Sequence, residues 1–265
     1  MMLTAENYYS QEANREYLSV SQYKDFVGTL GKRGCEEYAL AKLEGKWEDE
    51  MTTALLVGSY IDAHFEGTLD AFKAKHPELF KKDGSLKSEY VHAEEIINRI
   101  ERDNYFMKLM SGQKQVIFTG ELFGAKWKVK IDSLIPHAAI VDLKVMESLT
   151  KAFWVKDMGY MDFTQYWGYD IQGAVYQEIY YQNTGERLPF YIAAASKEKY
   201  PNIEIIQIDD KHLKEKLYEI EANVPKILQL KNHEIEPIRC GICDYCKFTK
   251  VLTRPIHYSE LIGEI

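Results

Sequence analysis

The segment KWKVKIDSLIPHAAIVDLKV, residues 126–145, decides the fold because both of its halves alternate in polarity around a turn. Strict alternation of polar and apolar residues is typical of a β-strand with two unlike faces. Pro136 and His137 mark the turn, since proline fixes φ and cannot donate to a strand ladder. With the turn centred on His137, Asp132 and Asp142 lie directly opposite each other, at the ~5 Å usual for cross-strand pairs. The segment therefore predicts a hairpin with two facing carboxylates.

Two facing carboxylates repel each other unless a positive group neutralises them. A hard divalent cation such as Mg²⁺ binds carboxylate oxygens and keeps several waters, so two aspartates and a substrate phosphate can complete its shell. Lys144 follows Asp142 on the same strand face and would place an ammonium beside that water or phosphate. The alternative is a solvated polar face on which Asp and Lys simply alternate. These residues alone leave both interpretations open.

The composition limits the class of protein. The chain has 265 residues, of which 46% are hydrophobic and 28% charged, as in ordinary globular proteins. Its formal charge of −8 argues against general attraction to nucleic acid or acidic membranes, although it allows a local basic groove. No apolar run approaches the ~20 residues of a membrane span, and residues 1–20 lack the regions of a signal peptide. We therefore expect a cytoplasmic protein.

Periodicity predicts helices and strands in mixed order. We expect a helix over 18–26, capped by Ser19 or Ser21. The other predicted helices cover 36–43, 51–65, 88–110, 162–182 and 210–230, and the other predicted strands cover 115–123, 188–196 and 203–208. This order indicates an α/β or α+β protein with a sheet flanked by helices.

Two of the predicted helices carry polar residues at helical spacing. In the apolar helix 51–65, Gly58 costs roughly 1 kcal/mol relative to alanine, which suggests close approach of another backbone. Asp62 lies on this helix, and its side chain is either a satisfied polar contact or a ligand aimed at a site. In the helix 162–182, Gln172 and Tyr176 are four residues apart and share a face, as either core or contact residues.

Cysteines form a separate feature, with three of the four inside seven residues: Cys35, Cys240, Cys243 and Cys246. Without a secretion signal, we expect metal binding rather than disulfides. Cys35 would then be the fourth ligand of either a four-cysteine iron–sulfur cluster or a structural zinc. His233 or His257 could replace Cys35 in a zinc site. The alternative is a set of reduced, unpaired cysteines on a C-terminal tail.

Together these motifs resemble the PD-(D/E)XK nuclease superfamily, in the branch with the RecB-type nuclease domain, exodeoxyribonuclease VIII and the CRISPR-associated four-cysteine exonucleases. Asp132 matches the family's G-x-x-D position, and Asp142-Leu143-Lys144 matches its D/E-x-K motif. Residues 172–176, from Gln172 to Tyr176, match the Q-x-x-x-Y motif that distinguishes this branch. The resemblance covers about residues 17–250.

The resemblance implies a restriction-endonuclease-like core, in which helices flank a mixed central sheet, with an N-terminal helical elaboration and a C-terminal cysteine cluster. The whole chain would form one domain over 1–265. Its parts would be a helical region at about 17–112, a catalytic core at about 113–232 and a cysteine-rich tail at about 233–265.

The chain departs from the family in two places. The branch has G-x-x-x-H upstream, with a Glu four residues later, and Gly58, Asp62 and Glu66 occupy those positions here. A carboxylate also ligates hard metals, so we expect Asp62 as the metal ligand, with the displaced His64 as second candidate. In addition, Cys243 and Cys246 are closer together than in four-cysteine relatives, and Cys35 lies farther from the first helix.

The activity implied by the resemblance is metal-dependent hydrolysis of DNA. Asp132, Asp142, the Leu143 carbonyl and Asp62 or His64 would hold Mg²⁺ or Mn²⁺, Lys144 would orient the attacking water, and Gln172 and Tyr176 would position the strand. Lys126, Lys128 and Lys130 could form a phosphate track.

In cellular terms, the resemblance implies a bacterial or phage-encoded exonuclease. It would act on linear DNA ends in phage recombination or repair, with an annealing protein or a helicase as a partner. The alternative function is a DNA-binding or assembly module that keeps the fold but has weak or no catalysis. The Asp62 substitution favours that module, whereas the retained Asp132, Asp142 and Lys144 favour the enzyme.

Overall fold

A five-stranded mixed sheet lies at the centre of the protein, which we describe over residues 1–261 of a computed structural model. The last four residues of the predicted cysteine-rich tail, 262–265, lie outside the described residues. The sheet has the order β1-β2-β3-β6-β7, in which β3 and β6 are parallel and the other neighbours are antiparallel. A separate two-stranded sheet pairs β4 with β5. The strands are β1 Gln113–Leu122, β2 Ala125–Ile135, β3 Ala139–Met146, β4 Phe153–Val155, β5 Gly159–Met161, β6 Phe190–Ser196 and β7 Ile203–Ile208.

Helices cover both faces of the sheet, as the sequence predicts. They are α1 Gln11–Glu16, α2 Val20–Val27, α3 Glu36–Leu43, α4 Thr53–Glu66, α5 Leu69–Lys75, α6 Ser88–Glu101, α7 Asn104–Leu109, α8 Phe163–Tyr166, α9 Tyr169–Thr184, α10 Asp210–Lys231 and α11 Asp244–Phe248, with 3₁₀ turns at Pro77–Leu79 and Tyr258–Leu261. The mixed α+β class and the helix-flanked sheet are thus confirmed. Within the described part of the chain, no helix is both long and apolar enough to cross a membrane.

Alternation along β3 divides the hydrophobic residues between two cores. Ile140 packs with α2, α3, α9 and α10 on one face of the sheet. Val141 and Leu143 pack with α4, α6 and α7 on the other face. Because successive side chains of a strand point to opposite faces, Asp142 is placed on the same face as Ile140.

The β2–β3 hairpin has the predicted register. Ser133 pairs with Val141, and His137 adopts a left-handed φ of 61° in the turn. The next position along this register brings Asp132 opposite Asp142.

Local signals set several helix ends. The Ser19 hydroxyl accepts a hydrogen bond from the Gln22 N–H, so Ser19 and not Ser21 is the cap of α2. The helix predicted over 162–182 is divided at Gly168, whose φ of 64° is left-handed. The helix predicted over 88–110 is also two helices, because Asp103 caps α7 through the Phe106 N–H.

One expectation about the fold is wrong. Gly58 lies in α4 as predicted, but no described atom beyond its own helix and chain neighbours comes within 4 Å of the position that its Cβ would occupy. Gly58 therefore borders open space, in a cavity that it shares with Asp62. Sequence periodicity also missed the β4–β5 hairpin, because strands of three residues are too short to show alternation.

Candidate active site

The carboxylate of Asp132 lies where β2 and β3 stop pairing. Its Oδ2 accepts a hydrogen bond of 3.0 Å from the Leu143 backbone N–H. Its Oδ1 lies 3.3 Å from the Gln115 amide nitrogen, which donates to it. The Asp132 carboxylate thus takes the Leu143 N–H, which would otherwise bond to the backbone of β2. The two strands separate at this point.

Asp142 is the most enclosed acidic group of this site, with 2% of its surface exposed. Its Oδ1 accepts a hydrogen bond of 2.5 Å from Nε2 of Gln172. Its Oδ2 contacts the Lys144 ammonium and has no other polar partner in residues 1–261. Lys144 Nζ also lies 3.3 Å from the Leu143 carbonyl oxygen. One carboxylate oxygen of Asp142 therefore has spare capacity to bind a cation.

Electrostatics at the site favour an added positive charge. Burial raises the pKa of Asp132 well above its usual value, and the charges of Asp142 and Asp62 raise it further. Burial also raises the pKa of Asp62 to about 7, although the Lys144 ammonium opposes the shift. Burial lowers the pKa of Lys144, but the charges of Asp142 and Asp132 outweigh this effect and raise it above the usual value. Three carboxyl groups thus interact with the ammonium of Lys144, and Asp62 also interacts with that of Lys130.

Asp62, and not His64, faces this cluster. Asp62 lines the same cavity as Asp132 and Asp142. The His64 imidazole lies on another side of α4, with Nε2 2.8 Å from Oε1 of Glu101 on α6. Residues two apart on a helix are separated by roughly 200° around the axis, so the two side chains cannot face the same cavity. The second candidate for the upstream ligand is thus placed away from the site.

This donor set fits Mg²⁺ or Mn²⁺. Hard divalent cations take carboxylate and carbonyl oxygens as ligands. The structure supplies a spare Asp142 oxygen, the Leu143 carbonyl close to Lys144, and two further carboxyl groups from Asp132 and Asp62. Of the predicted ligands, Asp62, Asp132, Asp142 and Leu143 therefore line one cavity, and His64 does not.

A cavity of about 470 Å³ opens beside these carboxylates. Gln172 and Tyr176 line it from α9, as their shared helix face predicts. Burial raises the pKa of Tyr176 well above its usual value, so its phenol remains neutral and able to donate a hydrogen bond.

Sequence reasoning missed several residues of the cavity wall, among them Lys24, Tyr8 and Tyr9. Lys24 reaches it from α2 and donates a hydrogen bond of 2.9 Å to the Trp167 carbonyl. Burial, reinforced by the charge of Lys144, lowers the pKa of Lys24 to about 7. Tyr8 and Tyr9 reach the cavity from the N-terminal segment. No local sequence pattern predicts a role for these residues, because they reach the β2–β3 hairpin only when distant segments of the chain pack together.

The expected track of three lysines along β2 is wrong. Lys126 forms an ion pair of 3.0 Å with Glu16. Lys128 is buried, and its ammonium donates to the Tyr8 carbonyl and, at 2.7 Å, to Oδ1 of Asn14. Lys130 lies over the rings of Tyr8 and Tyr9 in the cavity. Of the three lysines, Lys130 is the one whose placement suits contact with a phosphate in the cavity.

A second cluster gathers all four cysteines. Cys35 precedes α3, and the other three lie on the C-terminal segment, with every pair of Sγ atoms within 4.8 Å. The alternative histidine ligands are engaged elsewhere: His233 Nε2 lies 3.6 Å from Glu44, and His257 Nδ1 lies 2.8 Å from Ser259 Oγ. The predicted return of Cys35 to the C-terminal cysteines is thus present in the structure.

The fold and the site together define a PDDEXK-like protein. The chain belongs to the family described as PDDEXK-like domain of unknown function (DUF3799), whose model matches residues 19–249. It is 63% identical to "Putative exonuclease" from Eubacterium rectale, whose crystal structure superposes with a TM-score of 0.98 over 100% of both chains.

Other comparisons add little. The solved structure of SSO0001 is 13% identical and covers 72% of this chain and 86% of its own, with a TM-score of 0.28 that is too low to support an argument. No curated protein matches the chain.

Proposed function

We propose that the protein is a divalent-metal-dependent nuclease that hydrolyses phosphodiester bonds of DNA, beginning at the ends of linear molecules. The observation that carries the proposal is the environment of Asp142. Its buried carboxylate is fixed by Gln172 and Lys144, has Lys144 as the single partner of Oδ2 within residues 1–261, and lies beside two other carboxyl groups. A structural role alone has no need for this concentration of buried negative charge.

In the proposed mechanism, Mg²⁺ or Mn²⁺ would be held by Asp132, Asp142, Asp62 and the Leu143 carbonyl. When bound, the cation lowers the pKa of a water and offsets charge that develops on the phosphate. Lys144 lies against Asp142, where its ammonium can orient the attacking water and stabilise the extra negative charge of the transition state.

Other cavity residues hold the DNA strand. The neutral Tyr176 phenol is placed to donate to a phosphate oxygen, and Lys130 is placed to pair with one. Gln172 has one amide hydrogen committed to Asp142, so we assign it a positioning role. It keeps the carboxylate in one rotamer.

Attack from DNA ends is supported by the similarity to the Eubacterium rectale protein, which is named "Putative exonuclease". Linear ends arise during recombination and repair, so an annealing protein or a helicase is the partner class we propose.

We also propose that residues 1–265 act as a single domain.

The decisive experiment compares end-labelled linear DNA with closed-circular DNA in the presence of Mg²⁺ or Mn²⁺. We expect the native chain to degrade linear DNA and spare the circle, and Asp142→Ala and Lys144→Ala to abolish degradation. Lys126→Ala is the matched control, because this lysine lies outside the cavity and pairs with Glu16. Intact linear DNA after incubation with the native chain, or equal cutting by all variants, would instead favour the non-catalytic DNA-binding module.

A further inference from the structure

The four cysteine sulfurs lie closer together than an iron–sulfur cluster allows. Cys35 Sγ is 3.5 Å from Cys246 Sγ, and Cys240 Sγ is 3.9 Å from Cys246 Sγ. All four Sγ atoms, including that of Cys243, lie within 4.8 Å of one another.

These separations match a single tetrahedral ion. With metal–sulfur bonds of ~2.3 Å, the sulfurs of a four-thiolate zinc site are ~3.8 Å apart. In a cubane cluster each thiolate binds a different iron, and the thiolate sulfurs are roughly 6 Å apart. A two-iron cluster also needs such a separation between the ligands of its two irons. We infer that Cys35, Cys240, Cys243 and Cys246 hold one mononuclear, zinc-like ion, and not the iron–sulfur cluster that the family resemblance implies.

Backbone donors around the sulfurs suit thiolate ligands. The N–H of Cys240 donates to Cys35 Sγ at 3.4 Å, that of Cys243 to Cys240 Sγ at 3.3 Å, and that of Cys246 to Cys243 Sγ at 3.4 Å. Hydrogen bonds to a charged form favour that form. Gly241, with a left-handed φ of 76°, provides the tight turn between the first two C-terminal cysteines.

The ion would connect the C-terminal segment to a wall of the catalytic cavity. The backbone N–H of Cys35 donates to the Asp25 carbonyl at 2.9 Å, and Asp25 also lines the cavity. Lys42 of α3 pairs with the Asp25 carboxylate at 2.9 Å and lines the same cavity. A mononuclear zinc has no redox chemistry of its own, so this centre acts as a structural brace between the C-terminal segment and α2–α3.

Metal analysis of the purified native chain tests the inference. We expect one equivalent of zinc per chain, no inorganic sulfide and no visible absorption. Replacement of the ion by Co²⁺ should give the intense absorption bands in the red region that are typical of a tetrahedral thiolate site. This spectrum is recorded on the native chain, so it does not require a substituted protein that can fail to fold. Asp142→Ala should keep this ion, whereas Cys243→Ser should lose it. Iron with matching inorganic sulfide, or a metal-free protein with four titratable thiols and no Co²⁺ spectrum, would overturn the inference.

A different observation concerns the β4–β5 hairpin. Trp154 and Tyr160 are cross-strand partners with ring centroids 5.2 Å apart, and they are 67% and 74% exposed. Phe153 lies stacked on Tyr166 at 4.0 Å, which attaches the hairpin to α8. The hairpin therefore exposes a pair of large aromatic rings to solvent, and its contact with α8 holds it in place.

The hairpin lies next to the catalytic residues. A second cavity, of about 590 Å³, is lined by Asp62 and Lys144 at one side and by Phe153 and Lys151 at the hairpin. Lys197 lines it as well. Phe153 thus faces the cavity that contains the carboxylate cluster, whereas Trp154 and Tyr160 lie on the opposite face of the hairpin and do not line the cavity.

We propose that Trp154 and Tyr160 stack against unpaired bases of the DNA strand outside this second cavity, on the solvent-facing side of the hairpin. This proposal rests on the proposed nuclease function. Aromatic rings bind single-stranded nucleic acid by stacking on bases of any sequence, while lysines follow the phosphates. The attachment of the hairpin beside the cavity that contains Asp62 and Lys144 favours DNA as the occupant over a protein.

Binding of a fluorescein-labelled oligo-dT, measured without added Mg²⁺ or Mn²⁺ to prevent cleavage, tests this role. We expect Trp154→Ala combined with Tyr160→Ala to weaken binding about tenfold and the native Trp fluorescence to be quenched by the oligonucleotide. Tyr218→Ala, which removes an exposed tyrosine from α10, should change nothing. If native and doubly substituted chains bind equally while the native chain still degrades DNA through Asp142, the stacking proposal is wrong and the nuclease proposal stands. If the native chain neither binds nor degrades DNA, the nuclease proposal itself fails.

Discussion

Gln172 Nε2 donates a hydrogen bond of 2.5 Å to Asp142 Oδ1 and thereby joins α9 to the central strand β3. The bond occupies one carboxylate oxygen and directs the other toward Lys144. Because a hydrogen bond to a charged group contributes about 1.5–3 kcal/mol, Gln172 fixes the rotamer of Asp142 strongly.

Gln172→Ala should therefore impair catalysis without unfolding the chain. We expect Mn²⁺-dependent DNA degradation to fall about tenfold or more, measured as initial rates on end-labelled DNA. Gln182→Ala is the matched control, since Gln182 lies on the same helix but bonds to Glu121 on β1. Equal rates for native chain and Gln172→Ala would show that Asp142 needs no such support.

Exchanges at Asp62 and His64 should have different consequences. Asp62→Asn removes a charge from the cation site and should weaken Mn²⁺ binding about tenfold or more in calorimetric titration. His64→Asn breaks a partly exposed contact with Glu101, so it should leave Mn²⁺ binding unchanged and cost about 0–1 kcal/mol of stability. A comparable loss of Mn²⁺ affinity in both variants would contradict the placement of His64.

Metal should stabilise the protein more at alkaline than at acidic pH. The pKa of Asp62 is raised to about 7, so between its unfolded pKa and about 7 the folded, metal-free chain binds more protons than the unfolded chain. Stability without metal therefore falls as pH rises through this window. Mn²⁺ neutralises the ionised carboxylates, so it should raise the Tm more near pH 8 than near pH 5.5, measured by scanning calorimetry. In Asp62→Asn this pH dependence should become smaller. An equal Mn²⁺ effect at both pH values would argue against a carboxylate-bound cation.

The N-terminus of α2 offers a test of local stability. Ser19→Ala removes the side-chain acceptor for the Gln22 N–H and should lower the free energy of unfolding by about 1 kcal/mol, measured by urea denaturation. Ser21→Ala lies inside the helix and should be close to neutral. A larger effect of Ser21→Ala would mean that the helix begins later than the structure indicates.

The sequence by itself determined the features that depend on local periodicity. Alternation on both sides of His137 gave the register that brings Asp132 opposite Asp142, because a strand has a side-chain period of two residues. Helical spacing placed Gln172 and Tyr176 on one face, because residues four apart in an α-helix lie on the same side. The family motifs add the PDDEXK-like class, which the comparisons confirm.

Tertiary structure decided everything that depends on segments far apart in the chain. It brought Tyr8 and Lys24 into the cavity, directed Lys128 to the Tyr8 carbonyl, and set the sulfur separations between Cys35 and Cys246. Such contacts join residues more than a hundred positions apart, so no local pattern encodes them. They arise when buried faces from the whole chain pack together, and that packing determines which polar groups meet.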